Sequence, residues 1–388
     1  MIPRFPAFKP LDLSDCTEVT VHTERFAPYS DFNFVSLSSW NIRDEFRLST
    51  LHGNLVVRFT DYVTGEPFYS FMGAHQLPQT AEALLSRSLS EGLSERLRLI
   101  PEEVALRLPG SSASWEPDFD SSDYILSSVR LRRFEGTTFR SKRNVSNRFA
   151  RENPTHRVER IDPSNAVTRK AMLDLFAQWA SNKGHEEPYE QYEFLALKRL
   201  LEFSELLPEL YCTGVFVGEK MAAFMVLEFV HRKHAIGHFW KANVVEFEGV
   251  YPFLMRQTGA LLEERGYDYF NVEQDLGLPG LRQNKSSYVP LAYLRKYEVG
   301  RTHLVAQPQH RATLRPSLRP ESLAPFLISA DPTALNEQVS LRAPALRPDL
   351  FELARIEQEA EALTIRRSGI RITGEATDDE EPGKRSAG

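Results

Sequence analysis

Cysteine is scarce in this sequence, and other features that mark particular classes of protein are missing as well. The 388 residues contain two cysteines, Cys16 and Cys212, so neither a disulfide framework nor a cysteine-based zinc site is expected. No run of 18 apolar residues occurs, and the segment after Met1 lacks the apolar core of a signal peptide. These absences predict a protein of the reducing cytoplasm without a transmembrane segment, and they leave peripheral membrane contact open.

A large excess of charge of either sign is also absent. Lysine and arginine number 47 against 53 aspartates and glutamates, and the formal net charge of −6 excludes a global basic field for nucleic acid or anionic membranes. The motifs GxxxxGK[ST], GxGxxG, HExxH and GxSxG do not occur. Nucleotide hydrolysis, dinucleotide redox chemistry, zinc proteolysis and α/β-hydrolase chemistry therefore lose support.

Length and composition indicate two domains followed by an extension. Hydrophobic residues make up 41% of the chain and charged residues 26%, as is typical of globular proteins. A chain of 388 residues exceeds what one core usually serves, so we expect domains at 1–130 and 131–300. Proline is frequent after residue 300, which predicts that 301–388 form an extension with one amphipathic helix around 349–365 and a disordered acidic tail.

Hydrophobic periodicity between residues 155 and 300 gives the clearest structural pattern. It predicts strands at 156–162, 209–217, 221–230, 235–243, 267–273 and 291–299, and helices at 166–181, 189–206, 250–264 and 279–287. The order β-α-α-β-β-β-α-β-α-β is that of the GNAT acyltransferase fold. In the first 130 residues a hairpin of 55–59 with 68–72, followed by a helix at 80–97, suggests a degraded copy of the same fold.

Four stretches carry a resemblance to a protein family. They are FEGTTFRSKRN at 134–144 with Asn147 and Phe149, HFWKAN at 238–243, NVEQDLG at 271–277, and GLR at 280–282 with Lys285, Ser287, Tyr288 and Pro290. Together they resemble the tandem-GNAT proteins related to the C-terminal domain of phosphatidylglycerol lysyltransferases, and more distantly the Fem peptidyltransferases. The resemblance extends over roughly residues 25–300.

This resemblance implies both a fold and an activity. The fold is α+β, with two fused GNAT-like domains whose sheets are mixed and mostly antiparallel. The activity is transfer of an aminoacyl group from aminoacyl-tRNA to an amine or hydroxyl acceptor such as a lipid headgroup or a peptide. No cofactor is expected besides aminoacyl-tRNA as co-substrate.

A local basic segment stands out within the acidic chain. Between residues 130 and 151 eight basic side chains accompany one acid, and Phe134, Phe139 and Phe149 lie among them. Phosphate contacts and base stacking on the acceptor end of a tRNA are one interpretation, and a solvated helix face between two domains is the other. With the resemblance, the expected tRNA-binding residues are Lys142, Arg143, Asn144, Asn147 and Arg148.

Acidic side chains gather at the end of the strand predicted at 267–273. Side-chain alternation would place Asn271, Glu273 and Asp275 on one face, at the carboxyl end where active sites of α/β sheets collect. Glu273 or Asp275 is therefore a candidate for removing a proton from the acceptor. Asp275 has the alternative of capping the next helix or pairing with Arg282.

Cationic side chains occur on the next helix and on a neighbouring strand. Arg282 and Lys285 lie three positions apart on one helix face, so Lys285 is the candidate for stabilising the oxyanion and Arg282 for binding tRNA phosphate or ribose. Surface ion pairs with Glu273 and Asp275 are the alternative. Lys241 interrupts an apolar strand, which favours a catalytic or site-lining position. The other expected substrate contacts are Asn243, Asn271, Gln274 and Tyr288.

The loop at 244–249 indicates which acyl donor the protein could use. GNAT enzymes hold the pyrophosphate of CoA in a glycine-rich loop at this point, but the loop here has one glycine. Glu246 and Glu248 would repel a polyanion if they faced inward, and carry no information if they face solvent. An acyl-CoA-dependent N-acyltransferase and a non-catalytic RNA- or protein-binding GNAT pair remain the alternatives.

Histidines are few and do not indicate a metal centre. The three that lie closest together are His231, His234 and His238, and the first two flank a predicted hairpin turn. No carboxylate clusters with them in the sequence, so no metal site is expected.

Overall fold

The described residues comprise 1–61, 64–110, 113–182, 188–207 and 209–302 of a computed structural model. The strands among them are β1 (Lys9–Pro10), β2 (Arg47–Leu51), β3 (Asn54–Thr60), β4 (Pro67–Met72), β5 (Arg96–Pro101), β6 (Ala113–Ser127), β7 (His156–Ile161), β8 (Leu210–Val217), β9 (Lys220–Phe229), β10 (His234–Ala242), β11 (Tyr269–Asn271) and β12 (Ala292–Arg301). The helix predicted around 349–365 and the predicted acidic tail lie outside the described residues.

The helices lie between these strands along the chain, singly or in pairs. They are α1 (Cys16–Thr23), α2 (Phe34–Trp40), α3 (Leu77–Ser90), α4 (Glu102–Ala105), α5 (Ser128–Arg133), α6 (Arg140–Glu152), α7 (Ala166–Asn182), α8 (Pro188–Phe203), α9 (Val250–Glu264) and α10 (Pro279–Ser286). From β7 to β12 the order is β-α-α-β-β-β-α-β-α-β, which confirms the predicted order. No helix among the described residues is long and apolar enough to cross a membrane.

The strands form two sheets. The larger has the order β5-β12-β6-β11-β10-β9-β8-β7, and the smaller has the order β1-β2-β3-β4. Neighbouring strands are antiparallel except for β10 and β11, which are parallel. The mixed, mostly antiparallel arrangement confirms the predicted α+β class. The larger sheet takes β5 and β6 from the first 130 residues, and the position of a domain boundary stays a prediction.

Two predicted elements have different ends in the structure. The helix predicted at 80–97 begins at Leu77 and ends at Ser90, because Gly92 adopts a positive φ of 70° and the chain enters β5 at Arg96. The strand predicted at 267–273 is reduced to β11, and Glu273 beyond it has a φ of 58°. The alternation that would have placed Asn271, Glu273 and Asp275 on one face is therefore wrong.

The parallel pair β10 and β11 separates soon after it forms. β11 pairs with β10 at residues 234–236 and then ends, whereas β10 continues to Ala242. At Gly237 a Cβ atom would lie 2.7 Å from the ring of Phe270, and the pairing of β10 with β9 shifts between Gly237 and Phe239. Glycine at this position lets the backbone pass the ring, and the gap beyond it is available for a site.

Helices α5, α6 and α9 cover one face of the larger sheet. Their contacts require glycine on α9, since a Cβ at Gly259 would lie 2.5 Å from the backbone nitrogen of Arg132 on α5. Phe134, Phe139 and Phe149 are buried in this layer, at 0%, 5% and 0% exposure. Base stacking of tRNA on these three rings, which the sequence suggested, is therefore wrong, because the rings form part of the core.

Candidate active site

A cavity of about 720 Å³ lies where β10 continues beyond the end of β11. Its wall combines side chains of β10, helices α2, α7, α8 and α10, and the segment after β11. The N-terminal part of the chain contributes Ser30, Asp31 and Ser36. A concave site of this size with convergent polar groups is the usual setting for a small-molecule substrate.

Lys241 on β10 lies in the wall of this cavity. Its ammonium nitrogen is 2.6 Å from Glu193 Oε1 on α8 and 4.0 Å from the ring centroid of Trp179 on α7. The ion pair and the cation–π contact offset the cost of burying a lysine within a strand. The charge of Lys241 is therefore held by Glu193 and by aromatic rings at one side of the cavity.

Lys285 on α10 also lines the cavity and is only 6% exposed. Its ammonium group donates a hydrogen bond to the carbonyl oxygen of Gln274 at 2.5 Å. Burial lowers the pKa of Lys285 from 10.5 to about 8, although nearby carboxylates, Glu273 foremost, partly offset this effect. For Lys285 the alternative of surface ion pairs with Glu273 and Asp275 is wrong because Lys285 is enclosed, whereas Arg282 does pair with Asp275.

Asp275 is occupied by structural hydrogen bonds. Arg282 Nε donates to its Oδ2 at 2.8 Å, the Tyr124 hydroxyl donates to the same oxygen at 2.5 Å, and the Gly277 N–H donates to Oδ1 at 2.8 Å. Burial opposes ionisation, but the bonds from Arg282 and Tyr124 outweigh it and lower the pKa of Asp275. Asp275 therefore pairs with Arg282, which was the alternative interpretation of this residue. Arg282 also pairs with Asp120.

Glu273 belongs to a buried network around His238. His238 Nδ1 lies 3.3 Å from Glu273 Oε1, and His238 Nε2 lies 3.3 Å from Glu228 Oε2. The Ser36 hydroxyl lies 3.3 Å from both Glu273 Oε1 and His238 Nδ1, and Asn33 Nδ2 donates to Glu228 at 2.7 Å. Burial alone would lower the pKa of His238, but the two carboxylates raise it to about 9. An imidazolium at neutral pH therefore sits between two carboxylates.

A second cluster of charged side chains, around Lys296, lies next to the cavity. Lys296 on β12 is fully buried between Asp31 and Asp123, with its Nζ 2.6 Å from Asp123 Oδ1. Ser30 donates to Asp123 through its N–H and its hydroxyl, both at 2.7 Å. Burial raises the pKa of Asp31 to about 6 against the opposing effect of Lys296. Asp31 is thus a cavity-lining carboxyl group that titrates close to neutrality.

The remaining predicted substrate contacts have different positions. Gln274 lines the cavity. Asn243 bonds to Glu246 within its own loop, and Asn271 donates to the Pro28 carbonyl at 2.9 Å. Tyr288 is buried beside Phe134. Among the described residues, the cavity wall does not include Asn243, Asn271 or Tyr288, and their contacts support the surrounding loops and core.

The basic residues of α6 are divided between structural contacts and solvent. Arg143 donates to the Phe134 carbonyl at 2.5 Å, and the Lys142 ammonium lies 4.7 Å from the ring centroid of Tyr288. Asn147 accepts a bond from Arg256 at 2.8 Å, and Arg148 pairs with Glu248. Asn144 is exposed, as are Arg140 and Arg151 at the two ends of the helix. The helix therefore presents a basic outer surface although its inner contacts are structural.

The beginning of α9 is covered by α6. Gly249 has a φ of 84°, and a Cβ there would lie 2.3 Å from the backbone oxygen of Val145. Glu246 and Glu248 are exposed and pair with Lys220 and Arg148, so the proposed repulsion of CoA by inward-facing carboxylates is wrong. A CoA pyrophosphate would nevertheless meet the backbone of α6 where GNAT enzymes offer free N–H groups.

The two histidines that precede His238 in this part of the chain make backbone contacts. His231 Nε2 lies 2.8 Å from the Phe26 carbonyl oxygen, and His234 Nδ1 lies 2.8 Å from that of Arg232. Within the described ranges, no group of three or more His, Cys, Asp and Glu side chains is placed to hold a metal ion.

Several residues of the site escaped the sequence analysis. Asp31, Glu193, Glu228 and His238 had no assigned role, because the segments that carry them meet only in the folded chain. Lys296 did carry a signal in the sequence: it interrupts the apolar positions of its strand, as Lys241 does. Applying the same reasoning to both lysines would have identified the buried group beneath the cavity.

Comparisons with known proteins identify a family and solved structures that are similar to this chain. The family described as phosphatidylglycerol lysyltransferase, C-terminal, matches residues 25–299. A conserved protein of unknown function from Bacteroides thetaiotaomicron has a similar structure, with a TM-score of 0.67 and 26% identity over 78% of this chain and 100% of that one. L-PGS from Bacillus licheniformis shares the fold, with a TM-score of 0.53 and 14% identity over 82% of this chain and 98% of that one.

Among curated proteins, no relative matches the sequence. The family match nevertheless includes every described residue that lines the cavity, from Ser30 to Glu298. Because it also covers well over half of the chain, the protein belongs to the family of the phosphatidylglycerol lysyltransferase C-terminal domain.

Proposed function

We propose that the protein is an aminoacyltransferase that moves an aminoacyl group from aminoacyl-tRNA to an amine or hydroxyl acceptor. The observation that carries this proposal is the placement of Lys285 and Glu273 in one cavity of a family member. One group supplies positive charge and the other accepts a proton. Transfer from an ester needs mainly these two functions and correct positioning, because the carbonyl is already activated.

The reaction then follows from the positions of these side chains. The acceptor nitrogen or oxygen attacks the ester carbonyl, and the bond from carbon to the tRNA 3′-oxygen breaks. The Lys285 ammonium group stabilises the negative charge that develops on the carbonyl oxygen. Glu273 takes the proton of the acceptor and passes it to the departing 3′-oxygen. No cofactor enters this scheme, and aminoacyl-tRNA is the co-substrate.

Glu273 suits the proton transfer better than Asp275 does. Glu273 lines the cavity, and its contacts with His238 and Ser36 both involve Oε1. Asp275 is absent from the described cavity wall, and both of its carboxylate oxygens accept bonds from Arg282, Tyr124 or Gly277. The positive φ of Glu273 directs the chain away from β11, and the Asn271 side chain accepts its N–H at 2.8 Å. Backbone strain of this kind at a cavity is a recognised mark of functional residues.

The outer surface of α6 is the proposed contact for tRNA. Exposed basic residues there suit phosphate oxygens, and the sequence-independent part of tRNA binding depends on such contacts. Of the predicted set, Asn144 and Asn147 are exposed, and Lys142, Arg143 and Arg148 keep part of their surface exposed. We also propose that the smaller sheet with α3 is a degenerate GNAT-like unit, and that the reaction takes place in the cytoplasm, where aminoacyl-tRNA is made.

Equilibrium binding to three ligands tests the proposal. They are a mixed pool of aminoacylated tRNA, the same pool after deacylation, and acetyl-CoA, each across a salt series. We expect tighter binding of the charged pool, with an affinity that falls as salt rises. Saturable binding of acetyl-CoA alone would overturn the proposal in favour of an acyl-CoA transferase. Binding of none of the three would favour a non-catalytic module.

A further inference from the structure

The cavity wall carries an excess of negative charge. Its described residues include four positively charged or protonatable side chains, namely Arg98, Lys241, Lys285 and His238. They also include seven carboxylates, namely Asp31, Asp61, Asp118, Asp120, Glu193, Glu273 and Glu298. The wall therefore remains negative even when His238 is counted as an imidazolium.

The next layer of side chains does not neutralise this excess. Behind the wall, three described cations pair with lining carboxylates: Lys296 with Asp31, Arg282 with Asp120, and Arg96 with Glu298. The same three cations also pair with carboxylates outside the wall, which are Asp123, Asp275 and Glu116. Each outer cation is therefore shared between two carboxylates, and the negative field of the cavity persists.

Aromatic rings form much of the remaining wall. The lining rings are Trp40, Trp179, Trp240, Tyr251, Phe46, Phe59 and Phe68. Three of these rings already hold cations of the protein, and one of them is Trp240, whose ring centroid lies 5.8 Å from Lys285 Nζ. The Arg98 guanidinium carbon lies 4.5 Å from the ring centroid of Phe68, and Lys241 Nζ lies 4.0 Å from that of Trp179. Carboxylates combined with aromatic faces are the surroundings in which organic ammonium groups bind.

One part of the wall contains carboxylates but none of the proposed catalytic residues. Asp61 follows β3, Arg98 lies on β5, Asp118 on β6 and Glu298 on β12. Asp61 pairs with Arg98 at 3.2 Å, and Asp118 accepts the N–H of Ser121 through one carboxylate oxygen. An acceptor anchored at this acidic wall would extend along the cavity towards Glu273 and Lys285.

We propose that the acceptor is a small aliphatic di- or polyamine, an inference that rests on the function proposed above. One ammonium group of the acceptor stays at the wall of Asp118 and Glu298. The other first releases one proton to solvent, and the free amine attacks the ester carbonyl. As the amide bond forms and the ester bond breaks, Glu273 takes the second proton from this nitrogen and passes it to the departing 3′-oxygen of the tRNA, which leaves as a hydroxyl. An anionic phosphodiester headgroup would be repelled by the same wall.

Binding to the full chain without tRNA tests the class of acceptor. Spermidine is titrated while tryptophan fluorescence is followed, because Trp40, Trp179 and Trp240 line the cavity. Vesicles of phosphatidylglycerol are titrated in parallel. We expect saturable binding of spermidine that weakens with salt, and no change in the same signal with vesicles. Fluorescence changes with vesicles and not with spermidine would overturn the proposal.

Variants of the wall distinguish binding inside the cavity from attraction to negative charge on the surrounding surface. Glu298→Gln and Asp118→Asn each remove one charge, and the second change keeps a side-chain oxygen that can accept the Ser121 N–H. We expect each to weaken spermidine binding about threefold or more. Glu116→Gln is the matched control, because Glu116 pairs with the same Arg96 but is 65% exposed and lies outside the described wall. An equal loss in Glu116→Gln would contradict binding in the cavity.

A transfer assay distinguishes failure of this inference from failure of the proposed function. The full chain is incubated with a mixed aminoacyl-tRNA pool and spermidine, and aminoacyl-spermidine is sought by mass spectrometry. Its formation supports both proposals. Transfer to phosphatidylglycerol instead would leave the aminoacyltransferase function standing and overturn the polyamine acceptor. Saturable spermidine binding without transfer to any acceptor would keep the polyamine ligand and overturn the transferase function.

Discussion

Lys285 shows how burial changes the chemistry of a single side chain. Its ammonium group has one backbone carbonyl as a hydrogen-bond partner, and its pKa lies near 8 rather than 10.5. The group is therefore protonated at neutral pH and loses its charge in the mildly alkaline range. If the cation stabilises the oxyanion, the alkaline limb of the pH profile reports on this one residue.

Replacing Lys285 tests this assignment directly. Lys285→Ala is expected to lower turnover at least about tenfold, because a well-placed oxyanion donor contributes this much or more. In the unsubstituted protein the rate should fall as pH rises through about 8. Lys285→Arg keeps the charge across this range, so its alkaline limb should move to higher pH. Initial rates between pH 6 and 10 measure both effects, and an alkaline limb that stays in place in Lys285→Arg assigns that limb to another group.

His238 is the second residue whose state depends on its neighbours. Glu228 and Glu273 keep its imidazole protonated against the effect of burial. Glu228→Gln should therefore lower the pKa of His238 by about one unit or more, because one of two negative charges is lost while a hydrogen-bond acceptor remains. NMR titration of the histidine ring signals measures this shift. The signal of His156, which bonds to the Asn153 carbonyl far from Glu228, is the internal control.

A pKa of His238 that stays unchanged in Glu228→Gln would contradict the network. The same pKa has a consequence for stability. Because the folded-state pKa is raised above the usual 6.5, the stabilisation by this group is complete below pH 6.5 and disappears as pH rises through about 9.

Sequence reasoning identified single residues where the local pattern was sufficient. Lys241 and Lys285 were selected because a lysine in an apolar strand and a cation on a short helix are visible in the sequence. Asp31 was missed because Lys296 lies far away in the chain. His238 was missed because only the folded chain brings Glu228, ten residues before it, and Glu273 against its ring. Long-range electrostatic pairs of this kind leave no periodic signal.

At the scale of elements, the contact between α6 and α9 decides what the beginning of α9 can bind. Gly249 makes this contact possible, because its positive φ suits glycine and the backbone of Val145 leaves no room for a Cβ. The loop thus uses its single glycine for helix packing rather than for a phosphate cradle.

The variant Gly249→Ala tests how closely α6 and α9 pack at this position. We expect a loss of about 3 kcal/mol or more in the free energy of unfolding, because the methyl group both strains the backbone and displaces α6. Gly266→Ala is the matched control, since Gly266 has a similar φ of 79° but no atom within 4 Å of its added Cβ. It should lose only about 1 kcal/mol. Urea unfolding of both variants measures the difference, and equal losses would contradict close packing at Gly249.

The order of elements was predictable, but their inner and outer faces were less so. Between residues 156 and 301 each predicted helix and strand exists, because apolar periodicity is strong there. In α6 the basic composition suggested tRNA stacking by phenylalanines. The spacing of Ser146 and Phe149, three residues apart, places them on one buried face instead, and helical periodicity could have revealed this.

At the scale of the whole molecule, Lys296 joins two distant parts of the chain. Asp31 lies in the N-terminal segment, Asp123 lies on β6, and Lys296 lies on β12. Lys296 and Asp123 are buried, the side chain of Asp31 is 10% exposed, and Ser30 adds two hydrogen bonds to Asp123. The group holds the N-terminal segment against the larger sheet, directly below the cavity that Asp31 helps to line.

The variant Lys296→Met tests how strongly this group ties the fold together. It leaves two carboxylates buried without their cation, so we expect a loss of about 3–5 kcal/mol in the free energy of unfolding at pH 7. The loss should shrink as pH falls from 7 to 5. Burial raises the pKa of Asp31 and Lys296 opposes this rise, so in the variant the Asp31 carboxyl is protonated more readily and one of the uncompensated charges disappears. Urea unfolding at pH 5 and pH 7 measures both quantities.

Two further variants decide whether the effect comes from uncompensated charge. Adding Asp31→Asn to Lys296→Met removes one of the two stranded carboxylates, so the double variant should be more stable than Lys296→Met alone at pH 7. Lys170→Met breaks an exposed pair with Asp174 on α7 and should leave the melting temperature almost unchanged. If Lys296→Met is as mild as Lys170→Met, or if Asp31→Asn adds to its damage, the three side chains do not act as one charged group, and the N-terminal segment is held by hydrophobic contacts instead.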